Sequence, residues 1–327
     1  MSYTIHSNKI KTHFPNLDIL REEEFYNFKN EKFAIRVINE CIEICENANE
    51  KLGTNLSFGV LFNYTFNARA IVSSKNSIIT FNLGLINRLE QIISESIELF
   101  MTENISKMTI SKNNKNDLEE FSFKCCVSYI CNHELAHIIQ FSNKQNIYQE
   151  LYSHKKSFNV KNHIYEFDAD LFGCIVITFL LLKEVIEESK KINTIKLYNQ
   201  LTLSLLLIAN IIIEFSGYTF ENIYLRENKH PHPFIRIIKC KEQILANVSN
   251  NLKLSEPYLE SALDRSNKII SKTLYSDKRT LNYPKLYIEN STIITNYLTE
   301  IENQNSNYME LLRYKSQDFI NDLLYMN

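Results

Sequence analysis

The run His133-Glu134-Leu135-Ala136-His137 constrains this chain more than any other feature of its sequence. Two histidines four residues apart lie on one face of an α-helix, so both imidazoles can reach the same metal ion. The glutamate between them lies about 100° round the helix, where it can contact a water molecule on that metal. Random placement of the histidines and glutamates gives this pattern in roughly 0.02 of shuffled chains. The motif therefore predicts a helix that carries part of a zinc site.

The composition is typical of a globular protein. The chain has 327 residues, 44% of them hydrophobic, which is enough for one large core or two coupled domains. The formal net charge is −2 and the lysines are spread along the chain, which argues against a nucleic-acid partner. Seven cysteines without a C-x-x-C pair predict reduced core residues and a cytoplasmic location.

Two apolar runs, 171–182 and 201–213, raise the question of a membrane span. Both runs are shorter than the roughly 18–20 residues that a spanning helix needs. Residues 1–14 also lack a basic segment followed by an apolar one, so no signal peptide is expected. We therefore expect core helices and no membrane span, and peripheral association with a membrane stays open as an alternative.

Short β-branched and aromatic segments occur in one part of the chain, at 56–64, 68–73 and 77–81. Most of the remaining chain has apolar residues at helical spacing. Helices are predicted at 31–52, 85–101, 117–141, 161–188, 192–216, 233–249, 254–275 and 304–325. Gly53 is a suitable stop for the first of these helices. We expect an α+β fold, mainly α, with a small antiparallel sheet near the motif helix.

A catalytic zinc usually takes three protein ligands and keeps one position for water. The run 165–173 places two of the chain's eight aspartates, Asp168 and Asp170, in an otherwise apolar helix, and buried carboxylates need partners. Glu166 and Asp170 share a helix face because they lie four residues apart. We predict Glu166 as the third ligand and Asp170 as the acceptor for the second N–H of a ligand histidine. The alternative is an acid-rich first helical turn.

A proline-punctuated segment, His230-Pro231-His232-Pro233, precedes another predicted helix that carries Arg236. A rigid loop with cationic donors can stabilise the oxyanion of a tetrahedral intermediate. We name His232 and Arg236 as catalytic candidates, although the pattern does not choose among them and His230. The alternative is a helix-starting turn in which the histidines only pack. The histidines at 6, 13 and 154 are expected on the surface, and His163 is expected in a surface or core role rather than on the metal.

With these residues, the chain resembles the gluzincin zinc metallopeptidases, and most closely the soluble domain of the HtpX and CAAX-prenyl-protease type. The resemblance covers about residues 56–240. It rests on an Asn67-Ala68-Arg69-Ala70 strand, Gly84-Leu85, the H-E-x-x-H helix, the Glu166 to Asp170 segment, and His230-Pro231 with Arg236-Ile237. The chain is also similar in size and motif to the Lit-type phage-exclusion peptidases, which cleave a host translation factor.

The resemblance implies a zincin-like domain at 56–250, preceded by an N-terminal arm and helix at 1–55 and followed by a helical region at 251–327. It also implies a helix that bears Glu166 and faces the motif helix.

Together the motif and the resemblance predict a zinc-dependent endopeptidase that acts on a protein or peptide substrate. One Zn²⁺ is held by His133, His137 and Glu166, and Glu134 is the general base. The strand segment Asn67, Ala68, Arg69 and Ala70 is expected to pair with an extended substrate. Two alternatives stay open: a zinc-binding interaction protein with a structural metal, and a helical protein without metal.

Overall fold

The structure is a computed structural model. It describes residues 2–103 except 29 and 74, and then residues 112–141, 148–149, 158–187, 194–217, 223–276 and 283–305. Its helices are α1 (Tyr3–His13), α2 (Glu31–Leu52), α3 (Leu83–Thr102), α4 (Lys112–Phe141), α5 (Val160–Glu187), α6 (Thr194–Phe215), α7 (Pro233–Leu252), α8 (Glu256–Ser276) and α9 (Tyr283–Asn305), with a 3-10 helix at Glu22–Asn27. Its strands are β1 (Leu56–Leu61), β2 (Ala68–Val72), β3 (Ser77–Asn82) and the two-residue β4 (Tyr148–Gln149). The described part of the chain is thus mainly helical with one small sheet, which confirms the predicted α+β class at that level.

The sheet is mixed, so the prediction of an antiparallel sheet was wrong. The strand order is β1-β3-β2-β4, and β3 runs antiparallel to β2 but parallel to β1. A hairpin joins β2 to β3, with Ser73 N–H donating to Asn76 O at 3.0 Å. The chain leaves β1 and skips one strand position before it enters β2. Strand β3 then fills the gap and runs in the direction of β1.

The chain divides into two compact units that are discontinuous in sequence. In its described parts, the first unit contains Met1–Gln91 and Val127–His154, and the second contains Ile92–Cys126 and Lys155–Glu310. Helices α3 and α4 each begin in one unit and end in the other. The boundaries at 55 and 250 stay a prediction.

In the first unit, α1 covers the outer edge of β1. The Tyr3 hydroxyl accepts from Val60 N–H and donates to Leu20 O, both at 3.0 Å. His6 Nδ1 accepts from Phe58 N–H at 3.1 Å. These contacts satisfy edge groups that would otherwise be buried without partners. His6 is 2% exposed, so its predicted surface position was wrong, whereas His13 is exposed and His154 lies outside the described residues.

Two positions in the first unit require glycine, one for its backbone conformation and one for a close contact. Gly53 ends α2 in the left-handed region at φ 61°, as its position in the sequence predicts. Gly84, near the start of α3, packs against the backbone after β1, and a Cβ there would lie 2.1 Å from Tyr64 O. A side chain at residue 84 would therefore displace the β1–β2 loop.

All seven cysteines are buried and free of disulfides, which confirms their prediction as reduced core residues. Three of them meet in the first unit, where Cys131 of α4 contacts the thiols of Cys41 and Cys45 on α2. Burial raises the pKa of Cys41 and Cys45 well above the ordinary thiol value, so both act as small apolar side chains. This contact fixes the part of α4 that precedes the histidine motif.

The second unit is built from helices that pack around α6. Helix α6 is longer than the apolar run that predicted it, and its length and composition would suffice to cross a membrane. Of the most apolar 18-residue stretch of α6, 78% is buried inside the protein. A further apolar cluster joins α5, α7 and α9 through Ile164, Phe234, Ile235, Ile294, Tyr297 and Ile301. Helix α6 is therefore the central core element of this unit.

Candidate metal centre

The H-E-x-x-H motif lies near the end of α4, as the sequence predicts. The helix begins at Lys112, five residues before the expected start, and presents both histidines on one face. His133 Nε2 and His137 Nε2 are 3.2 Å apart, and the two rings meet edge to face. Both nitrogens therefore point to one place.

This separation fits coordination of a single ion. Two nitrogens bound to one tetrahedral zinc at 2.0–2.1 Å lie about 3.3 Å apart. The separation of 3.2 Å between His133 Nε2 and His137 Nε2 is close to that value. Both side chains are almost completely buried, so little side-chain entropy is lost when a metal binds.

Gln140 orients one of these histidines. His137 Nδ1–H donates to Gln140 Oε1 at 2.8 Å. Because an amide oxygen can only accept, this bond places the imidazole proton on Nδ1 and leaves the Nε2 lone pair for a metal. Gln140 was missed in the sequence, although its position three residues after His137 puts it on the same helix face.

Glu166 completes a group of three ligand residues. One ligand atom each from His133, His137 and Glu166 lies within 4.8 Å of the other two, and this His-His-Glu group could bind a metal ion. Glu166 lies in the second turn of α5 and is mostly buried. Its Oε1 is 3.2 Å from His230 Nδ1 and its Oε2 is 3.5 Å from an Arg236 amino group. The carboxylate thus lies between the His230 imidazole and the Arg236 guanidinium.

Asp170, the predicted partner of a ligand histidine, is placed against Arg236. The guanidinium donates through Nε and an amino group to the two carboxylate oxygens, each at 2.7 Å. Such a two-point pair is the strongest form of arginine–carboxylate contact. Because Arg236 also approaches Glu166, one guanidinium contacts both Glu166 and Asp170. The role of Asp170 toward a histidine stays a prediction.

His232 is the N-cap of α7. Its Nδ1 accepts from Phe234 N–H at 3.2 Å, and Pro233 occupies the first helical position. The ring is buried and packs on Tyr224 at 4.6 Å between centroids. Because Nδ1 accepts, Nε2 carries the proton and is the donor nitrogen. Through its Nδ1 atom, His232 thus has the helix-starting role that the sequence left open.

His163 lies one turn before Glu166 and is buried in the second unit. Its Nε2 donates to Asn228 O at 2.9 Å, and its Nδ1 accepts from the Tyr297 hydroxyl. Burial lowers the pKa of His163, and the Asn228 carbonyl opposes this shift. His163 thus has the core role that the sequence allowed.

The predicted substrate segment coincides with the start of β2. Asn67 O accepts from Asn82 N–H at 2.9 Å, and Ala68, Arg69 and Ala70 pair with β3. On the other edge of β2, the pairing described for β4 reaches Ile71 and Val72. Among the described residues, the backbone pairing on that edge does not include Ala68 or Ala70.

Glu134 lies between the two histidines and is buried like them. Its side chain projects about 100° round the helix from His133. The comparisons with known proteins do not identify this arrangement. Neither the family models, nor the curated proteins, nor the solved structures gave a match.

Proposed function

We propose that the chain is a zinc-dependent endopeptidase of the gluzincin type. The observation that carries this proposal is the group of His133, His137 and Glu166, together with the burial of Glu134, which stands between the two histidines in the sequence. A structural zinc site usually has four protein ligands and needs no adjacent base. A three-ligand group beside a buried carboxylate is the arrangement that catalytic zinc sites use.

The two Nε2 atoms and a Glu166 oxygen would hold the ion. When bound, zinc supplies a Lewis acid that polarises a carbonyl and lowers the pKa of a water molecule toward 7. Glu134 takes a proton from the attacking water as its oxygen bonds to the scissile carbon. The same carboxylic acid then gives the proton to the amine nitrogen as the C–N bond breaks. Atoms and charge balance with one water consumed for each bond cleaved.

The surrounding residues would position the substrate. The segment Asn67, Ala68, Arg69 and Ala70 at the start of β2 is our candidate for backbone pairing with an extended peptide. His232 Nε2–H is our candidate for the oxyanion donor, since its other nitrogen already caps α7. Arg236 is engaged with Asp170 and Glu166, so we assign it the positioning of Glu166.

The substrate is proposed to be a protein, and a host protein would match the phage-exclusion resemblance. The decisive experiment maps new protein N-termini by mass spectrometry in cells that express the wild-type chain or the Glu134→Gln variant. Glu120→Gln is a matched control, because Glu120 is an exposed glutamate of the same helix that pairs with Lys124. We expect a set of termini with the wild type and the control that Glu134→Gln abolishes.

The same experiment tests the alternative function. If all three proteins bind zinc but give the same termini as cells without the chain, the metal is structural and the peptidase proposal fails. If Glu134→Gln gives the wild-type termini at an undiminished rate, Glu134 is not the base.

A further inference from the structure

A cavity of about 520 Å³ lies among α7, α8 and α9 in the second unit. This volume is within the range of about 300–1,000 Å³ that is typical of small-molecule sites. Its apolar lining consists of Phe234, Ile237, Ile238, Leu263, Ile270 and Ile288. Ile288 is 70% exposed, so one wall of the cavity lies at the protein surface. A ligand with an aliphatic chain can therefore enter and bury that chain.

One lining residue, Lys241, has a buried amine. It is 4% exposed, and its Nζ donates to Ser266 Oγ at 3.1 Å and to Asn267 Oδ1 at 2.6 Å. Both acceptors are neutral, and no ion pair joins Lys241 to a carboxylate among the described residues. An ammonium has three donors, so two contacts leave one N–H for a further acceptor.

The other charged residues of the lining do not compensate this charge. Glu242 is exposed and lies 3.8 Å from Lys239, and Lys268 is exposed and lies 3.8 Å from Glu103. Water screens both of these pairs. Burial lowers the pKa of Lys241 to about 7, because a buried ammonium without a counter-ion is unfavourable. A bound anion would restore the charged form.

We propose that this cavity binds an aliphatic carboxylic acid of medium chain length, with its carboxylate on Lys241 Nζ and its chain among the isoleucine and leucine side chains. The apolar walls match an alkyl chain, and the single buried amine matches a single negative charge. A phosphate or sulfate needs more donors than Lys241 provides, and the remaining charged groups of the lining are exposed. Neither His133 nor Glu166 lines the cavity, so ligand binding here does not require the metal.

Isothermal titration calorimetry of the full chain with decanoate at pH 7 tests the proposal. We expect saturable binding of one decanoate per chain. Lys241→Met should weaken that binding at least about tenfold, because the buried charge pair is lost. Lys268→Met is the matched control, since Lys268 lines the same cavity but is exposed, and it should bind decanoate within about twofold of the wild type.

Decanol separates the contribution of the ligand's alkyl chain to binding from that of its charge. It should bind the wild type and Lys241→Met with similar affinity, because it fills the apolar walls without needing a counter-ion. Far-ultraviolet circular dichroism establishes that both variants are folded. Absence of saturable decanoate binding to the wild type would overturn the proposal, as would equal binding of decanoate by folded Lys241→Met.

Discussion

Arg236 and Asp170 form a two-point ion pair, with both nitrogen–oxygen distances at 2.7 Å and side-chain exposures of 13% and 3%. The pair joins α7 to α5 directly beside Glu166, whose carboxylate lies 3.5 Å from the same guanidinium. The side chain that completes the candidate metal group is therefore contacted by a residue seventy positions later in the chain. This contact joins two helices of the second unit at the position of Glu166.

Arg236→Met should lower the free energy of unfolding by about 3–5 kcal/mol, because it leaves the Asp170 carboxylate buried without its cation. Urea unfolding followed by circular dichroism measures this change. Adding Asp170→Asn should recover part of the loss, since the double variant no longer buries the Asp170 charge, although Glu166 still lacks Arg236. Arg226→Met is the control: Arg226 pairs with Glu300 but is largely exposed, and its loss should cost under about 1 kcal/mol. Equal effects of the two arginine variants would contradict a structural role for the Arg236 pair.

Gln140→Leu should weaken zinc binding about 10–100-fold, because His137 loses the acceptor that holds its proton on Nδ1. Competition with a chromogenic chelator gives the affinity. Gln140→Glu keeps an acceptor at the same place and should bind zinc at least as well as the wild type. An unchanged affinity in Gln140→Leu would show that Gln140 does not orient the ligand.

Lys241→Met should raise the free energy of unfolding, and this increase should be larger at about pH 6 than at about pH 9. Burial lowers the folded-state pKa of Lys241 to about 7, whereas the ordinary value is 10.5. Between these values the unfolded chain keeps a proton that the folded chain has released, so wild-type stability rises with pH. Below about pH 7 both states are protonated, and the wild type carries the full cost of burying the ammonium.

Urea unfolding at the two pH values measures the difference between variant and wild type. Groups that both proteins share, including the exposed Glu242 and Lys268, contribute equally and cancel. Lys268→Met is the control and should follow the wild type at both pH values. A gain from Lys241→Met that does not depend on pH would show that Lys241 is not desolvated in the folded chain.

The part of the site that lies within one helix was predictable from the sequence. The spacing of His133 and His137 places both on one face, and the structure has them with facing Nε2 atoms. Glu166 was predictable because a carboxylate in an apolar helix needs a partner. The ion pair between Arg236 and Asp170 was not predictable, because the spacing of residues along the sequence does not tell which helices pack together.

The fold shows the same division between local and long-range information. The three main strands were predictable from their β-branched and aromatic residues, but the parallel pairing of β1 and β3 depends on which strands become neighbours. Helix α9 was missed, although Ile294, Tyr297, Leu298 and Ile301 have helical spacing. Its many polar residues lower the overall apolar content and obscure that stripe. The predicted helix at 304–325 lies almost entirely outside the described residues.

We expect His133, His137 and Glu166 to hold one zinc ion, and metal analysis of the purified full chain measures whether they do. Inductively coupled plasma mass spectrometry should find close to one zinc per chain in the wild type and in Glu134→Gln, since Glu134 is proposed as a base and not a ligand. His137→Ala should retain less than about a tenth of that zinc, because two protein ligands hold the ion too weakly to survive purification. Two results would show that these three residues do not hold the ion. One is a wild type without zinc after gentle purification and reconstitution, and the other is a folded His137→Ala variant that keeps all of its zinc.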